Sequence, residues 1–234
     1  MDPAGLGPQP RPPAGPPNPG DVARSGTGPL YPVNLVLAER PVLVVGGGKV
    51  AAQKVAELLR CGARVTVVAP RIEPELLGDD RLACQQRPYR RGEVAAYRFV
   101  VTATDDPAVN QAVFDDGEAV GLWVNAADDP QRCSVTLPAR VRRGSLLVTV
   151  STEGRSPALA SWLRTQLDEQ LGPEHETLLE LLAEERDRIR AAGASTEGLD
   201  WQGALRSGML EEIRAGRITA AKELLKTCLS SSSV

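Results

Sequence analysis

A run of branched apolar residues that breaks on three glycines, Gly46 to Gly48, constrains the fold more than any other feature of this chain. In the stretch VLVVGGGKVAAQKVAELL, the residues before the glycines are typical of a buried strand, and those after them have the apolar spacing of a helix. Gly62 is a suitable stop for that helix, and the following ARVTVV indicates a second strand. A β-α-β unit of this kind predicts a parallel sheet covered by helices.

The same alternation continues as far as Pro130. The predicted strands are residues 41–46, 64–69, 82–86, 98–103 and 121–126, and the predicted helices in this part are residues 48–60 and 107–119. Because the strands are apolar on both faces, we expect an α/β fold with a Rossmann-like parallel sheet, in a domain spanning residues 30–130.

After Pro130 the pattern changes. Two extended runs, residues 133–141 and 145–152, are joined by Arg-Arg-Gly and predict a β-hairpin within a segment spanning residues 131–155. An all-helical C-terminal part is then expected over residues 156–228. Its predicted helices begin after Ser156 and after Gly172, followed by a weak helix at 200–214 and a last helix from Arg217. At the other end of the chain, residues 1–29 are rich in Pro and Gly and predict a disordered leader.

Composition excludes several classes of function. The formal net charge is -3, whereas a protein that neutralises many phosphates needs an excess of clustered Lys and Arg, so we expect no nucleic-acid partner. The 4 cysteines have neither the spacing nor the accompanying histidines of a zinc site, and no bound metal is predicted. No apolar run approaches the roughly 20 residues of a membrane helix and no signal peptide is recognisable, so we predict a soluble cytoplasmic protein without a membrane partner.

The glycine break matches a dinucleotide-binding fingerprint. Gly46, Gly48 and Ala51 satisfy G-x-G-x-x-A, in which the second glycine lets the backbone approach a pyrophosphate at the start of the helix. The carboxylate that usually ends the second strand and binds the ribose of NAD is missing, and Arg71 lies there instead. Arg71 could bind the 2′-phosphate of NADP, or the backbone nearby could hold the adenosine of NAD; the residues alone leave both open.

Polar residues end the fourth and fifth predicted strands, where ligands bind in open α/β sheets. After the fourth strand, Thr104 could face a cofactor, while Asp105 and Asp106 are explained as helix-capping acids before Pro107. After the fifth strand come Asn125 and Asp128. A carboxylate at Asp128 could act as a general base or bind a substrate rich in N–H groups, with a turn role for Asp-Asp-Pro as the competing explanation.

Ser151 and Thr152 end the second strand of the predicted hairpin. They could belong to a turn with a helix cap, or their hydroxyls could bind a substrate carboxylate beside the start of the next helix. Both explanations stay open at this point.

These motifs resemble the precorrin-2 dehydrogenase module of siroheme synthesis, which occurs alone or as the N-terminal module of siroheme synthase. The resemblance extends from Tyr31 to about Leu182. It is carried by YPVNLVLAERPVLVVGGGKVAAQK, CGARVTVVAP, VVTATDDPAVNQAV, VNAADDP and SVTLPARVRRGSLLVTVSTEGRSPALASWLR.

The resemblance implies NAD-dependent oxidation of precorrin-2, a tetrapyrrole, to sirohydrochlorin in a homodimer whose central and helical parts form the subunit contact. Some relatives are also sirohydrochlorin ferrochelatases, which makes ferrous iron a possible second substrate. The carboxylates of the tetrapyrrole require cations, and the candidates are Arg132, Arg140, Arg142, Arg143 and Arg155.

The family's functional positions are carried over one by one. Its cofactor contacts fall on the following residues and favour NAD: Gly46, Gly47, Gly48, Lys49, Val50, Pro70 and Arg71. Its key aspartate falls on Asp128, and its hydroxyl pair falls on Ser151 and Thr152. We add Thr104 as a cofactor contact and Asn125 as a substrate contact.

A different class of function, an NAD-binding regulatory module without catalysis, is the alternative. Such modules generally carry an acid at the end of the second strand and do not need the hairpin that follows the sheet. A short-chain dehydrogenase is excluded, because none of Tyr31, Tyr89 and Tyr97 is followed four residues later by Lys.

Overall fold

The structure is a computed structural model that describes residues 29–230. The predicted leader, residues 1–29, lies outside this range except for Pro29. The described residues form two compact units, which meet in sequence between Leu137 and Pro138. The finer division into domains that we predicted stays a prediction.

The first unit contains a parallel five-stranded sheet in the order β3-β2-β1-β4-β5. Its strands are β1 Pro41–Val45, β2 Arg64–Ala69, β3 Ala83–Gln86, β4 Phe99–Thr102 and β5 Val124–Ala126. Its helices are α1 Lys49–Arg60, α2 Pro74–Leu77 and α3 Pro107–Ala119, with 3₁₀ turns at Glu93–Ala96 and Pro130–Arg132. The predicted α/β Rossmann-like class is confirmed; α2 and the two 3₁₀ turns were not predicted.

Alternate residues of the central strands face opposite sides of the sheet, and both sides are buried. On one side Val42 and Val44 of β1 belong to a buried cluster with Val55 of α1. On the other side Leu43 of β1 clusters with Val113 of α3. This two-sided burial fixes the sheet between its helices. Because all five strands are parallel, the loops that follow them emerge at one edge of the sheet.

The second unit contains a two-stranded antiparallel hairpin and five helices among its described residues. The hairpin is β6 Ala139–Arg143 and β7 Leu146–Val150; the helices are α4 Pro157–Gln170, α5 Glu174–Ala191, α6 Trp201–Arg206, α7 Met209–Arg214 and α8 Ile218–Ser230. Helices α5 to α8 share a buried core that includes Leu181, Met209 and Leu225. The helical C-terminal part is thereby confirmed.

Three details of this part were predicted wrongly. The first hairpin strand begins at Ala139 and not at residue 133, because the Ser134 amide donates to the Val124 carbonyl at 2.9 Å and keeps this stretch beside β5. The hairpin turn is Gly144–Ser145, since Arg143 already pairs with Leu146. The weak helix predicted at 200–214 is two helices, because Gly208 has a left-handed φ of 92° and interrupts it. Among residues 29–230, we find no helix with the length and apolar character needed to cross a membrane.

Candidate active site at the carboxyl edge of the sheet

The carboxyl ends of β2, β1, β4 and β5 follow one another along one edge of the sheet. The loops that leave these four ends carry most of the predicted site residues of the first unit. Those residues are Pro70 and Arg71 after β2, Gly46 to Val50 after β1, Thr104 after β4, and Asp128 after β5. Adjacent strands lie about 4.8 Å apart, so the glycine turn and the Asp128 loop, separated by β4, begin about 10 Å from each other.

The three glycines have different structural roles. Gly46 has a φ of 130°, and a Cβ there would lie 2.2 Å from the Ala103 carbonyl oxygen. A Cβ on Gly47 would lie 2.2 Å from the Arg71 carbonyl oxygen. A Cβ on Gly48 would meet no atom of the described residues within 4 Å. The fold itself requires the first two glycines, whereas the third leaves open space that a ligand could enter.

That open space lies at the N-terminus of α1. Gly48 is the N-cap residue and offers no side-chain cap, so the first amides of the helix have no partner within it. Lys49 and Val50 are exposed there, and Ala51 is fully buried against the sheet. Free amides, the helix dipole and a nearby cation together suit a pyrophosphate, so these residues fit a dinucleotide.

The loop after β2 lies beside the glycine turn. The Glu73 amide donates to the Gly47 carbonyl at 2.8 Å, which joins the two loops. Pro70 and Arg71 are exposed, and the Arg71 side chain makes no ion pair or hydrogen bond within residues 29–230. The end of β2 therefore presents backbone amide and carbonyl groups and the Arg71 side chain to a ligand. Both NAD and NADP are chemically compatible with these groups.

The loop after β4 is organised by Asp106. Its Oδ1 accepts hydrogen bonds from the amides of Ala108 at 2.9 Å and Val109 at 3.3 Å, so Asp106 caps α3 as the capping explanation predicts. Thr104 Oγ1 accepts from the Asp106 amide at 3.1 Å. Asn110, which is buried, donates to the Thr104 carbonyl at 2.9 Å. Thr104 is thus held at the edge of the sheet, and its contact with a cofactor stays a prediction.

Asp128 lies in the turn that follows β5 and has the left-handed backbone φ of 59°. Its side chain is exposed and makes no hydrogen bond or ion pair with the described residues. A short 3₁₀ turn does follow, which we did not expect, but Asp129 and not Asp128 precedes it. Asp128 is therefore a free carboxylate on a constrained backbone.

Asn125 is buried, and its Nδ2 donates to the Val135 carbonyl at 3.0 Å. This bond ties β5 to the stretch of chain that returns beside it, together with the Ser134 Oγ that accepts from the Val124 amide at 2.8 Å. The amide nitrogen of Asn125 is therefore engaged in holding the loop. Its contact with a substrate stays a prediction.

Two residues that we did not predict for this role hold the Asp128 turn. Arg132 forms an ion pair with Asp129 and donates to Gln111 Oε1 of α3 at 2.8 Å. The Cys133 sulfur contacts the backbone at both ends of the turn. Burial raises the pKa of this thiol, and the charge of Asp129 adds to that effect, against opposing contributions from the Ala126 amide and Lys54. Nothing in the sequence pattern signals these contacts, because they depend on the path of the turn.

In the second unit, Ser151 and Thr152 lie directly after β7. Thr152 Oγ1 donates to the Ser156 carbonyl at 3.1 Å and accepts from the Ser156 amide at 3.2 Å. Ser156 Oγ in turn accepts from the Leu159 amide at 3.2 Å and caps α4. Ser151 is exposed, and its Oγ accepts from the Glu153 amide at 3.3 Å. The turn-and-cap explanation describes these contacts, while substrate binding by the two hydroxyls stays a prediction.

The predicted arginines of the second unit differ in whether their side chains are free to bind a substrate carboxylate. Arg143 is engaged, since it donates to the Leu171 carbonyl at 2.5 Å and pairs with Asp168 at 2.9 Å. Arg142 Nε is buried, and no described residue forms a hydrogen bond with it. Arg155 is exposed and its side chain has no partner in the part of the chain that the structure describes. No group of three or more metal-binding side chains is found between residues 29 and 230.

Comparison with known proteins agrees with this geometry. Residues 33–139 match the protein family described as "Putative NAD(P)-binding". The siroheme synthase of Methylobacillus flagellatus is 33% identical over 204 residues, which are 85% of this chain and 44% of that protein. The siroheme synthase of Nitrosospira multiformis is 36% identical over 206 residues, which are 84% of this chain and 44% of that protein. The chain thus spans less than half the length of these relatives.

A solved structure is also similar. The precorrin-2 dehydrogenase SirC matches with a TM-score of 0.63 and 27% sequence identity, over 85% of this chain and 98% of that one. The first unit carries the NAD(P)-binding part of the match. Over most of its own length this chain is therefore similar to siroheme synthases, and its fold is similar to that of the precorrin-2 dehydrogenase SirC, which confirms the resemblance drawn from its motifs.

Proposed function

We propose that this protein is an NAD-dependent precorrin-2 dehydrogenase that produces sirohydrochlorin in siroheme biosynthesis. One observation carries the proposal: an open glycine turn at a helix N-terminus and a free carboxylate, Asp128, lie along the same edge of the sheet. The names of the relatives, siroheme synthase and precorrin-2 dehydrogenase, support this reaction over others that use the same cofactor.

The cofactor would be held by the first unit. Gly46 to Gly48, with the amides of Lys49 and Val50, suit the pyrophosphate, and Pro70 and Arg71 suit the adenosine. We propose NAD and not NADP, as the resemblance implies. Bound NAD would supply the acceptor for the hydride that leaves the substrate.

Asp128 would act as the general base. Dehydrogenation removes a proton as well as a hydride, and a carboxylate that no other described residue engages is available to accept that proton. Its exposed position leaves it accessible to a large tetrapyrrole. Its left-handed backbone conformation restricts the direction in which the side chain leaves the turn. The same carboxylate would orient the pyrrole N–H groups before the proton leaves.

We propose that Asn125, Ser151 and Thr152 contact the tetrapyrrole. For Ser151 the exposed hydroxyl supports this role, and for Thr152 the support is the resemblance together with its place beside the N-terminus of α4. Arg155, exposed and without a partner among the described residues, suits a substrate carboxylate.

Three further properties belong to the proposal. Ferrous iron would be a second substrate, inserted into sirohydrochlorin, and loss of sirohydrochlorin with ferrous iron in the absence of NAD tests this activity. A homodimer is proposed because Leu159 and Trp162 of α4 are 46% and 59% exposed, and analytical ultracentrifugation tests it. We also propose a cytoplasmic location, which fractionation of the native cells tests.

The central experiment compares the wild-type protein with Asp128→Asn. Asn tolerates a left-handed backbone and keeps the shape of the side chain, so the variant should fold and bind NAD but reduce it with precorrin-2 at least about 100-fold more slowly. Asp105→Asn is the matched control, because Asp105 is also exposed, follows the neighbouring strand and has no partner within residues 29–230. NAD binding by the wild type without turnover of precorrin-2 would favour the regulatory module instead.

A further inference from the structure

The position of Asp128 depends entirely on its backbone, because the described residues offer its side chain no hydrogen bond or ion pair. The turn that carries it is closed weakly, since the Asp129 amide donates to the Ala126 carbonyl at 3.4 Å. A weakly closed turn needs further support if its exposed carboxylate is to keep one position.

The Cys133 side chain supplies that support. Its sulfur accepts a hydrogen bond from the Ala126 amide at 3.2 Å, at the start of the turn. The thiol lies 3.2 Å from the Ala126 carbonyl oxygen and 3.3 Å from the Asp129 carbonyl oxygen, so its single hydrogen can be donated at either end. Asn125 Nδ2 lies 3.7 Å from the same sulfur. The sulfur atom of Cys133 therefore forms hydrogen bonds with the backbone at both ends of the turn.

The state of the thiol agrees with this arrangement. Burial raises the pKa of Cys133, so the thiol stays protonated at neutral pH and keeps the hydrogen it needs to donate. The ion pair of Arg132 with Asp129 holds the far side of the turn, and the Ala127 amide donates to the Thr102 carbonyl of β4 at 2.8 Å at the near side. Among these contacts, the Cys133 sulfur is the one that reaches the backbone of both Ala126 and Asp129.

We propose that Cys133 is a positioning residue for the dehydrogenation, acting through Asp128 by holding the turn of residues 126–129. The inference rests on the proposed function, because it concerns the base of that reaction. Cys133 itself would contact neither substrate nor cofactor.

A double-mutant cycle tests the proposal with purified full-length protein. Cys133→Ala should lower kcat about tenfold and leave the KM for precorrin-2 and the Kd for NAD within about twofold, since a small displacement of a base affects the chemical step. The separate variant Cys133→Ser keeps a hydrogen-bond donor and an acceptor at this position, so its kcat should stay close to that of the wild type. In the Asp128→Asn background, Cys133→Ala should cause no further loss. Cys84→Ala is the matched control, because Cys84 is a half-buried thiol of the same unit that donates to the Leu76 carbonyl at 3.5 Å, away from this turn.

Amide hydrogen exchange of the peptide that contains residues 126–129 gives a readout independent of activity. Exchange should become faster in Cys133→Ala, and neither Cys133→Ser nor Cys84→Ala should change it. Unchanged exchange in Cys133→Ala, or an equal loss of kcat in the presence and absence of the Asp128 carboxylate, would overturn the role of Cys133. If the wild type fails to oxidise precorrin-2, the proposed function fails, and the exchange measurement still decides whether Cys133 holds the turn.

Discussion

The Thr152 hydroxyl bonds to both the carbonyl and the amide of Ser156, at 3.1 and 3.2 Å. One side chain thus closes the loop between β7 and α4. Thr152→Val keeps the shape but removes both bonds, and we expect it to lower the free energy of unfolding by about 1–2 kcal/mol. Urea unfolding followed by tryptophan fluorescence, to which Trp123, Trp162 and Trp201 contribute, measures this change. Thr152→Ser keeps the hydroxyl and is the control, which should stay near the wild type. Wild-type stability in Thr152→Val would show that the two hydrogen bonds add nothing.

Within the glycine turn, Gly46 and Gly47 are needed for stability, and Gly48 is proposed to be needed for cofactor binding. A Cβ at Gly46 or Gly47 would lie 2.2 Å from a backbone oxygen, so Gly46→Ala and Gly47→Ala should each lower the free energy of unfolding by about 2 kcal/mol or more. In Gly48→Ala the new Cβ would meet no atom of residues 29–230 within 4 Å, and the variant should keep wild-type stability. Its methyl group would occupy the place proposed for the pyrophosphate, so its Kd for NAD should rise. Urea unfolding of the three variants measures their stability, and calorimetric titration with NAD measures the Kd. Normal NAD affinity in Gly48→Ala would contradict the placement of the cofactor.

Asp106 caps α3 with its side chain, whereas Asp105 beside it has no partner among the described residues. We expect Asp106→Ala to lower the free energy of unfolding by about 1 kcal/mol, because the amides of the first turn lose their acceptor. Thermal unfolding by circular dichroism checks this value. Asp106→Asn keeps an acceptor oxygen, so its free energy of unfolding should fall much less, and that of Asp105→Ala should equal the wild-type value. Equal losses at the two positions would mean that charge near the helix dipole matters more than the cap.

Acid should weaken the first unit through Glu93. Burial raises the pKa of this carboxyl, but hydrogen bonds from Arg87 and the Arg90 amide outweigh it and lower the pKa overall. A lowered folded-state pKa means that the stabilisation is complete above the unfolded pKa, about 4.3, and is lost as pH falls through the folded value. The free energy of unfolding of the wild type should therefore fall between about pH 5 and pH 3 more steeply than that of Glu93→Gln. Parallel pH curves for the two proteins would show that this ion pair adds nothing.

The sheet of the first unit could be predicted because its signals are local. Strands such as β1 and β2 are continuous apolar runs, and α1 follows a glycine break with clear helical spacing. The G-x-G-x-x-A pattern likewise placed Gly48 in the open position and Ala51 in the buried one. In these segments the pattern of a few neighbouring residues is enough to decide the structure.

The Asp128 turn could be located from the sequence but not described. Its left-handed residue, its 3₁₀ turn and its contacts with Cys133 all depend on how the chain returns beside β5. For the same reason residues 133–138 were mistaken for part of a hairpin strand: their sequence is strand-like, but the chain bends at Ser134 and Val135, and the Ser134 amide donates to the Val124 carbonyl. The break at Gly208 was visible in principle, since a glycine within a helix costs about 1 kcal/mol relative to alanine.

The backbone at Asp128 also limits how this position can change during evolution. A left-handed conformation is adopted readily by Gly, Asn and Asp and rarely by other residues, so Asn and Gly are the replacements that leave the turn intact. Both remove the carboxylate. A gene encoding this chain could therefore lose the proposed chemistry through a substitution that leaves the protein folded and able to bind its dinucleotide. A descendant of that kind would be a sensor or a binding protein on an unchanged scaffold, and a single side chain would separate it from the enzyme.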